Sequence, residues 1–228
     1  MKRFYKTVTI GPDRGILLDG RSVRTPSRAV LALPTDALAV AVAAEWEAQG
    51  DAIDPRSMTL TGLSNAAIDV VAADPASFAA DLARYGETDM LCYRAEEPAA
   101  LVARQAERWD PLLDWARGRY DIHFETATGV IHRAQPEATV RRLGEAVASR
   151  EAFALVGLSP LVTIGGSLVT ALALAEGAID LDTAWAAVQL EDEWQAEQWG
   201  EDELATRATE ARRADFAAAA RFLSLLDR

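Results

Sequence analysis

The spacing of apolar residues changes once along this chain, at Pro34, and that change limits what it can fold into. Before it, the stretch ILLDGRSV (residues 16–23) sets Asp19-Gly20 between β-forming residues. This dipeptide tolerates the positive φ angles of a two-residue hairpin turn. Phe4, Val8 and Ile10 lead as a β-like run into the turn GPDRG (residues 11–15), Thr25-Pro26 closes the hairpin's second strand, and residues 29–33 can add another. Residues 1–34 are therefore expected to form a small antiparallel β-rich domain, too small to be stable without support.

After Pro34 the period becomes helical. Thr35 or Asp36 can cap a helix over 37–49 that Gly50 ends, and further helices are expected over 60–72, 75–85, 98–120, 136–150, 160–176, 180–199 and 202–226. The 98–120 segment carries an apolar stripe at Val102, Ala106, Trp109, Leu113, Ala116 and Tyr120. Pro111 either kinks that helix or starts a second one. Residues 90–94 are a short strand candidate and 124–131 an extended one. The expected class is α+β, with a β-rich N-terminal domain over 1–34 and a larger, mainly helical domain over 35–228.

A formal net charge of −12 argues against nucleic acid or anionic membrane as partners. Cys92 is the only cysteine, so no intrachain disulfide can form. The most apolar run, LVTIGGSLVTALAL (residues 161–174), is shorter than the ~20 residues of a membrane span. The N-terminal segment has early charge but no apolar core run, so no signal peptide is expected and the cytoplasm is the expected compartment.

Few residues offer chemistry. His123 and His132 lie nine residues apart with no second ligand pair near by, so no zinc site is expected. Gly165-Gly166-Ser167 lacks the frame of a phosphate loop and fits a helix cap or a close helix contact. The acidic residues remain: Glu45 and Glu47 flanking Trp46, Asp89 in YGETD, and the stretch LEDEWQAEQWG over 190–200. Clustered carboxylates do acid–base work or bind ions only when they converge. A metal-assisted hydrolase using the Glu191–Glu197 cluster is therefore the alternative to a binding role.

On a single helix over 180–200, Leu181, Ala184, Trp185, Val188 and Trp199 fall on one side, expected to face the core. Ala187, Leu190 and Trp194 make a second ridge nearly opposite. Glu193 and Glu197 lie between as a like-charged i, i+4 pair, which costs the helix a few tenths of a kcal/mol. A helix with two apolar sides is buried on both or offers one to a partner, and Trp is enriched where partners bind most tightly.

Seven segments resemble, in order, the assembly chaperones for the α subunit of F-type ATP synthase. They are GRSVRTP, AAEWEAQGDAIDP, LSNAAID, YGETDMLCYRA, RQAERWDPLLDW, SLVTALALAEG and LEDEWQAEQWGEDE, and together they reach across nearly the whole chain. Ser57-Met58-Thr59-Leu60-Thr61 departs from the family's pattern, which has Pro after the Met. The resemblance implies a β-rich N-terminal domain, a larger helical one, and binding of unassembled α subunit until it pairs with β, without catalysis, metal or cofactor. The N-terminal segment lacks a long Arg-rich leader, so a bacterial, cytoplasmic member is expected rather than a mitochondrial precursor like the family's eukaryotic members. A monomer is expected when it is free. Carried over by motif, the partner-binding residues are Glu193, Gln195 and Trp199, with Glu45, Trp46, Tyr85 and Asp89.

Overall fold

The computed structural model describes residues 1–129, 132–200 and 203–226 of the 228-residue chain. The fold is α+β, a small antiparallel sheet followed by helices. The strands β1 (Val8–Ile10), β2 (Ile16–Leu18) and β3 (Arg21–Ser22) precede α1 (Asp36–Glu47), α2 (Thr59–Asp69) and α3 (Pro75–Ala83). Then come β4 (Tyr93–Arg94), α4 (Ala99–Tyr120), β5 (Ala127–Thr128), α5 (Glu137–Ala148) and α6 (Ala152–Gly165). The chain continues through α7 (Leu168–Ala175), α8 (Leu181–Val188), α9 (Leu190–Trp199) and α10 (Glu203–Ser224). Internal contacts divide it into two compact units. One holds Met1–Pro75, Glu151–Gly157 and the segment from Ala218 onward; the other holds Ala76–Arg150 and Leu158–Ala217.

In the first unit the strands pair in the order β1-β2-β3, with Val8 opposite Leu18 and Leu18 opposite Arg21. Asp19 (φ 48°) and Gly20 (φ 78°) form the hairpin turn, as the dipeptide requires. The Asp19 carboxylate accepts the Thr7 N–H (2.9 Å) and the Lys6 N–H (3.1 Å), and these bonds hold its pKa below the usual carboxylate range. Residues 29–33 make only isolated bridges, Arg24 to Val30 and Gly15 to Ala32, rather than a strand. Thr35 caps α1 by accepting the Leu38 N–H, and its hydroxyl donates to the Leu225 carbonyl at 2.6 Å. Ile16, Leu31, Leu38, Val42 and Leu60 are the buried centre of this unit. On α6, Gly157 lets the chain pass Leu223 and Phe222, where an added Cβ would stand 2.7–3.0 Å from their atoms.

In the second unit α4 is a single 22-residue helix with Pro111 inside it. Its buried residues, Gln105, Trp109, Leu112, Leu113 and Ala116, face α7 and α8. Three expected elements differ. The helix expected to begin at Pro160 starts at Ala152, because the buried Leu155 and Leu158 extend the apolar segment back through the proline. Gly166 (φ 66°) and the Ser167 cap then separate α6 from α7, so 160–176 is two helices. Gly165 is a close helix contact, with an added Cβ 3.1 Å from Val188 Cγ1. The helix expected over 180–199 is also two, broken at the buried Gln189 (φ −98°, ψ 2°). Residues 90–94 form a 3-10 turn at Met90–Cys92 before the two-residue strand. Val130, Ile131 and Asp202, the ends of two other expected elements, lie outside the described residues.

Candidate functional site

The acidic helix α9 lies antiparallel to α4, and its carboxylates are distributed by that register. Arg104 Nη1 donates to Glu197 Oε1 at 2.7 Å, and Arg108 Nη1, one turn on, donates to Glu193 Oε2 at 2.9 Å. Between them the buried Gln105 donates to Glu191 Oε1 at 2.7 Å while accepting the Ala95 N–H. Asp192 receives Arg212 of α10 at 3.0 Å. Arginines spaced i, i+4 on one helix thus meet glutamates spaced i, i+4 on the next. That explains the like-charged pair: Glu193 and Glu197 repel along α9 but each faces a guanidinium. The Arg104 hydrogen bond holds the Glu197 carboxyl below its ordinary range.

The Leu190/Trp194 ridge is covered by the protein itself. Leu190 is fully buried, and the Arg104 guanidinium sits 4.8 Å from the centroid of the half-buried Trp194 ring. Trp109 locks the same region by donating its indole N–H to the Ala187 carbonyl at 2.8 Å. The break at Gln189 rotates α9 away from the sector that an unbroken helix would give it. Trp199, expected to pack inward, is therefore 80% exposed, a correction with a backbone cause. Trp199 and the exposed Gln195 line a groove of about 750 Å³ with Ala196, Ala205 and Ala208. Glu210 stands at the same groove.

The other expected contacts lie elsewhere. Glu45 is half-buried, and its carboxylate accepts the Leu60 N–H (2.7 Å), the Thr61 N–H (2.8 Å) and the Thr61 hydroxyl (2.7 Å). Met58, the residue before α2, supplies no side-chain cap. Glu45 thus serves as the cap of a helix it does not belong to. Trp46 is half-buried, with its Nε1 shielded and without a hydrogen-bond partner. Its carbonyl accepts the Tyr5 hydroxyl at 2.6 Å. Tyr85 is half-buried in the 3-10 turn Arg84–Gly86.

Asp89 requires a correction, since it has no exposed surface with which to meet a partner. Its carboxylate accepts the Val169 N–H (2.9 Å) at the start of α7 and the Leu91 N–H (3.1 Å). Burial pushes its pKa up to about 6, against the opposing pull of hydrogen bonds from Val169, Ser167, Leu91 and Leu168. Cys92 is likewise buried, and burial raises its thiol pKa to about 12, so it is an inert thiol.

Sequence reasoning missed Arg104 and Arg108. Their i, i+4 spacing, matching that of Glu193 and Glu197, was the available signal. The hydrolase alternative is withdrawn, because each carboxylate of α9 already has a cationic or amide partner. Among the described residues no group of three or more His, Cys, Asp or Glu could hold a metal ion, and no helix is long and apolar enough to cross a membrane.

Helix α9 thus has one face closed by hydrogen bonds, and among the described residues it exposes Gln195 and Trp199 on another. A family model described as ATP12 chaperone protein matches residues 2–117. Atp12 from Paracoccus denitrificans is 42% identical, with a TM-score of 0.93 over 99% of this chain and 98% of that one. An aspartate-to-lysine mutant of the P. denitrificans protein is 43% identical, with a TM-score of 0.95 over 99% and 97%. Protein atp12, mitochondrial, of Schizosaccharomyces pombe is 24% identical over 214 residues, 87% of this chain and 74% of its own. The chain belongs to the ATP12 chaperone family, whose members are ATP synthase assembly chaperones and not enzymes.

Proposed function

We propose that the protein binds the unassembled α subunit of F-type ATP synthase and prevents its aggregation until the β subunit takes its place. The carrying observation is Trp199, an indole 80% exposed beside Gln195 on the open face of α9. An α subunit without its neighbour exposes an apolar surface meant for that neighbour, and such surfaces aggregate. A large exposed ring can cover part of that surface, while the chain's formal net charge of −12 keeps the complex in solution. Glu193 holds α9 in place through Arg108, and Glu45 holds α2. Both are positioning residues in this reading, while Trp46 and Tyr85 are half-buried candidate contacts. The protein acts in the cytoplasm, as a monomer when free, and needs no cofactor.

Co-expression with the α subunit, with and without β, tests the reading. The expected result is soluble α subunit that co-purifies with the protein and is released when β is added. Trp199→Ala should reduce that retention at least tenfold without changing the melting temperature. Retention equal to wild type would remove Trp199 from the site, and failure of the wild type to hold α subunit would end the reading itself.

A further inference from the structure

The first unit carries a second surface of different chemistry. Phe4, Tyr5 and Trp46 form a row of rings, edge to face, with centroids 5.4 and 5.8 Å apart. They line a groove of about 580 Å³ together with residues of the hairpin, Arg21 and Arg24 among them. Phe4 is 64% exposed. Among the described residues neither arginine makes an ion pair; Arg24 only reaches the Arg28 carbonyl at 3.5 Å. The one carboxylate lining the groove, Asp19, is engaged by Lys6 and Thr7.

The charge along the chain is uneven. Residues 1–34 hold seven basic and two acidic side chains, whereas the rest of the chain holds 16 basic and 33 acidic ones. A positive sheet in an otherwise acidic protein selects short anionic ligands, because a long polyanion or an anionic bilayer would be repelled by the remainder. The exposed phenyl ring adds a seat for an apolar side chain.

We propose that this groove binds an acidic segment of a partner protein, with Asp or Glu side chains at Arg21 and Arg24 and a neighbouring apolar residue against Phe4. The site is independent of the Trp199 surface, so either can fail alone.

Fluorescence anisotropy of the full chain with a labelled Asp-Glu-Phe-Asp-Glu-Leu peptide tests it. The expected result is binding that weakens with salt and is lost when Asn and Gln replace the acids. Arg21→Glu with Arg24→Glu should weaken binding at least tenfold, and the paired Arg→Gln variant should weaken it severalfold, both with unchanged melting temperature. Phe4→Ser should weaken it severalfold, and Trp199→Ala should leave it unchanged. Equal binding of acidic and amide peptides, or equal binding by the charge-reversed variant, would overturn the proposal. So would tighter capture of an eight-residue oligothymidylate or of phosphatidylserine vesicles.

Discussion

The end of α1 and the length of α9 share a composition, glutamate beside tryptophan, and use it in opposite ways. At the end of α1, Glu45 gives both carboxylate oxygens to the uncapped start of α2, and Trp46 packs edge to face on Tyr5. Along α9 the carboxylates of Glu193 and Glu197 answer two arginines on α4, while Trp199 is left in solvent. A Trp-plus-carboxylate motif therefore does not identify a contact surface by itself. In both places donors of the same fold take up the carboxylates, so what differs is whether the ring finds cover: Trp46 does and Trp199 does not.

The largest expected effect tests the most interior carboxylate. Asp89 binds its proton more tightly in the folded chain, where its pKa is about 6, than at its ordinary 3.8. The folded state therefore holds more protons between those values, and this group's contribution makes stability fall as pH rises from about 4 to about 6. The span corresponds to about 3 kcal/mol. Denaturant unfolding of wild type and Asp89→Asn at pH 4, 5, 6 and 7 should show a difference between them that changes by about that much. A pH-independent difference would mean that the carboxylate titrates alike in both states.

Next in size is Glu45→Gln. The amide keeps the shape but turns an N–H₂ toward one of the α2 donors, leaving a backbone N–H unpaired, at a cost of about 1–3 kcal/mol. Chemical denaturation measures it. Under conditions where the variant stays folded, it should hold α subunit as well as wild type. A loss there would return Glu45 to the partner surface.

Glu193→Lys comes third. It places a cation against Arg108 and Arg104 and should loosen α9 by about 1 kcal/mol. Because the pair is half-exposed, salt should reduce the effect. Combining it with Arg108→Glu restores opposite charges. Recovery of both melting temperature and retention in the double variant is expected if Glu193 acts by positioning. Recovery of stability without retention would make its carboxylate a direct contact.

Legibility in the sequence followed the range of the interactions. The Asp19-Gly20 hairpin, the Thr35 cap and the α+β class were readable because local residues decide them. The split at Gln189 was not, since glutamine is a good helix former and carries no breaker signal. Its side chain is buried and reached by Arg212, so tertiary packing sets the break. The same holds for Pro160, a plausible helix start that buried leucines on both sides override. At the candidate site the acidic face was visible, but its inward half was not. Arg104 and Arg108 lie about 90 residues from their partners in sequence, and nothing local links them.

The smallest expected effect on stability is the one that matters most for the open face of α9. Trp199→Ala removes a ring that is 80% exposed, so it should change unfolding free energy by no more than about 0.5 kcal/mol. Leu190→Ala, on the same helix but fully buried, should cost about 2–5 kcal/mol. Thermal and urea unfolding of the two variants side by side measures how asymmetric α9 is. If Trp199→Ala proved as costly as Leu190→Ala, the ring would be part of the fold and the open face would lose its anchor. If it is nearly silent, any loss of α-subunit retention by that variant is a loss of contact rather than of structure.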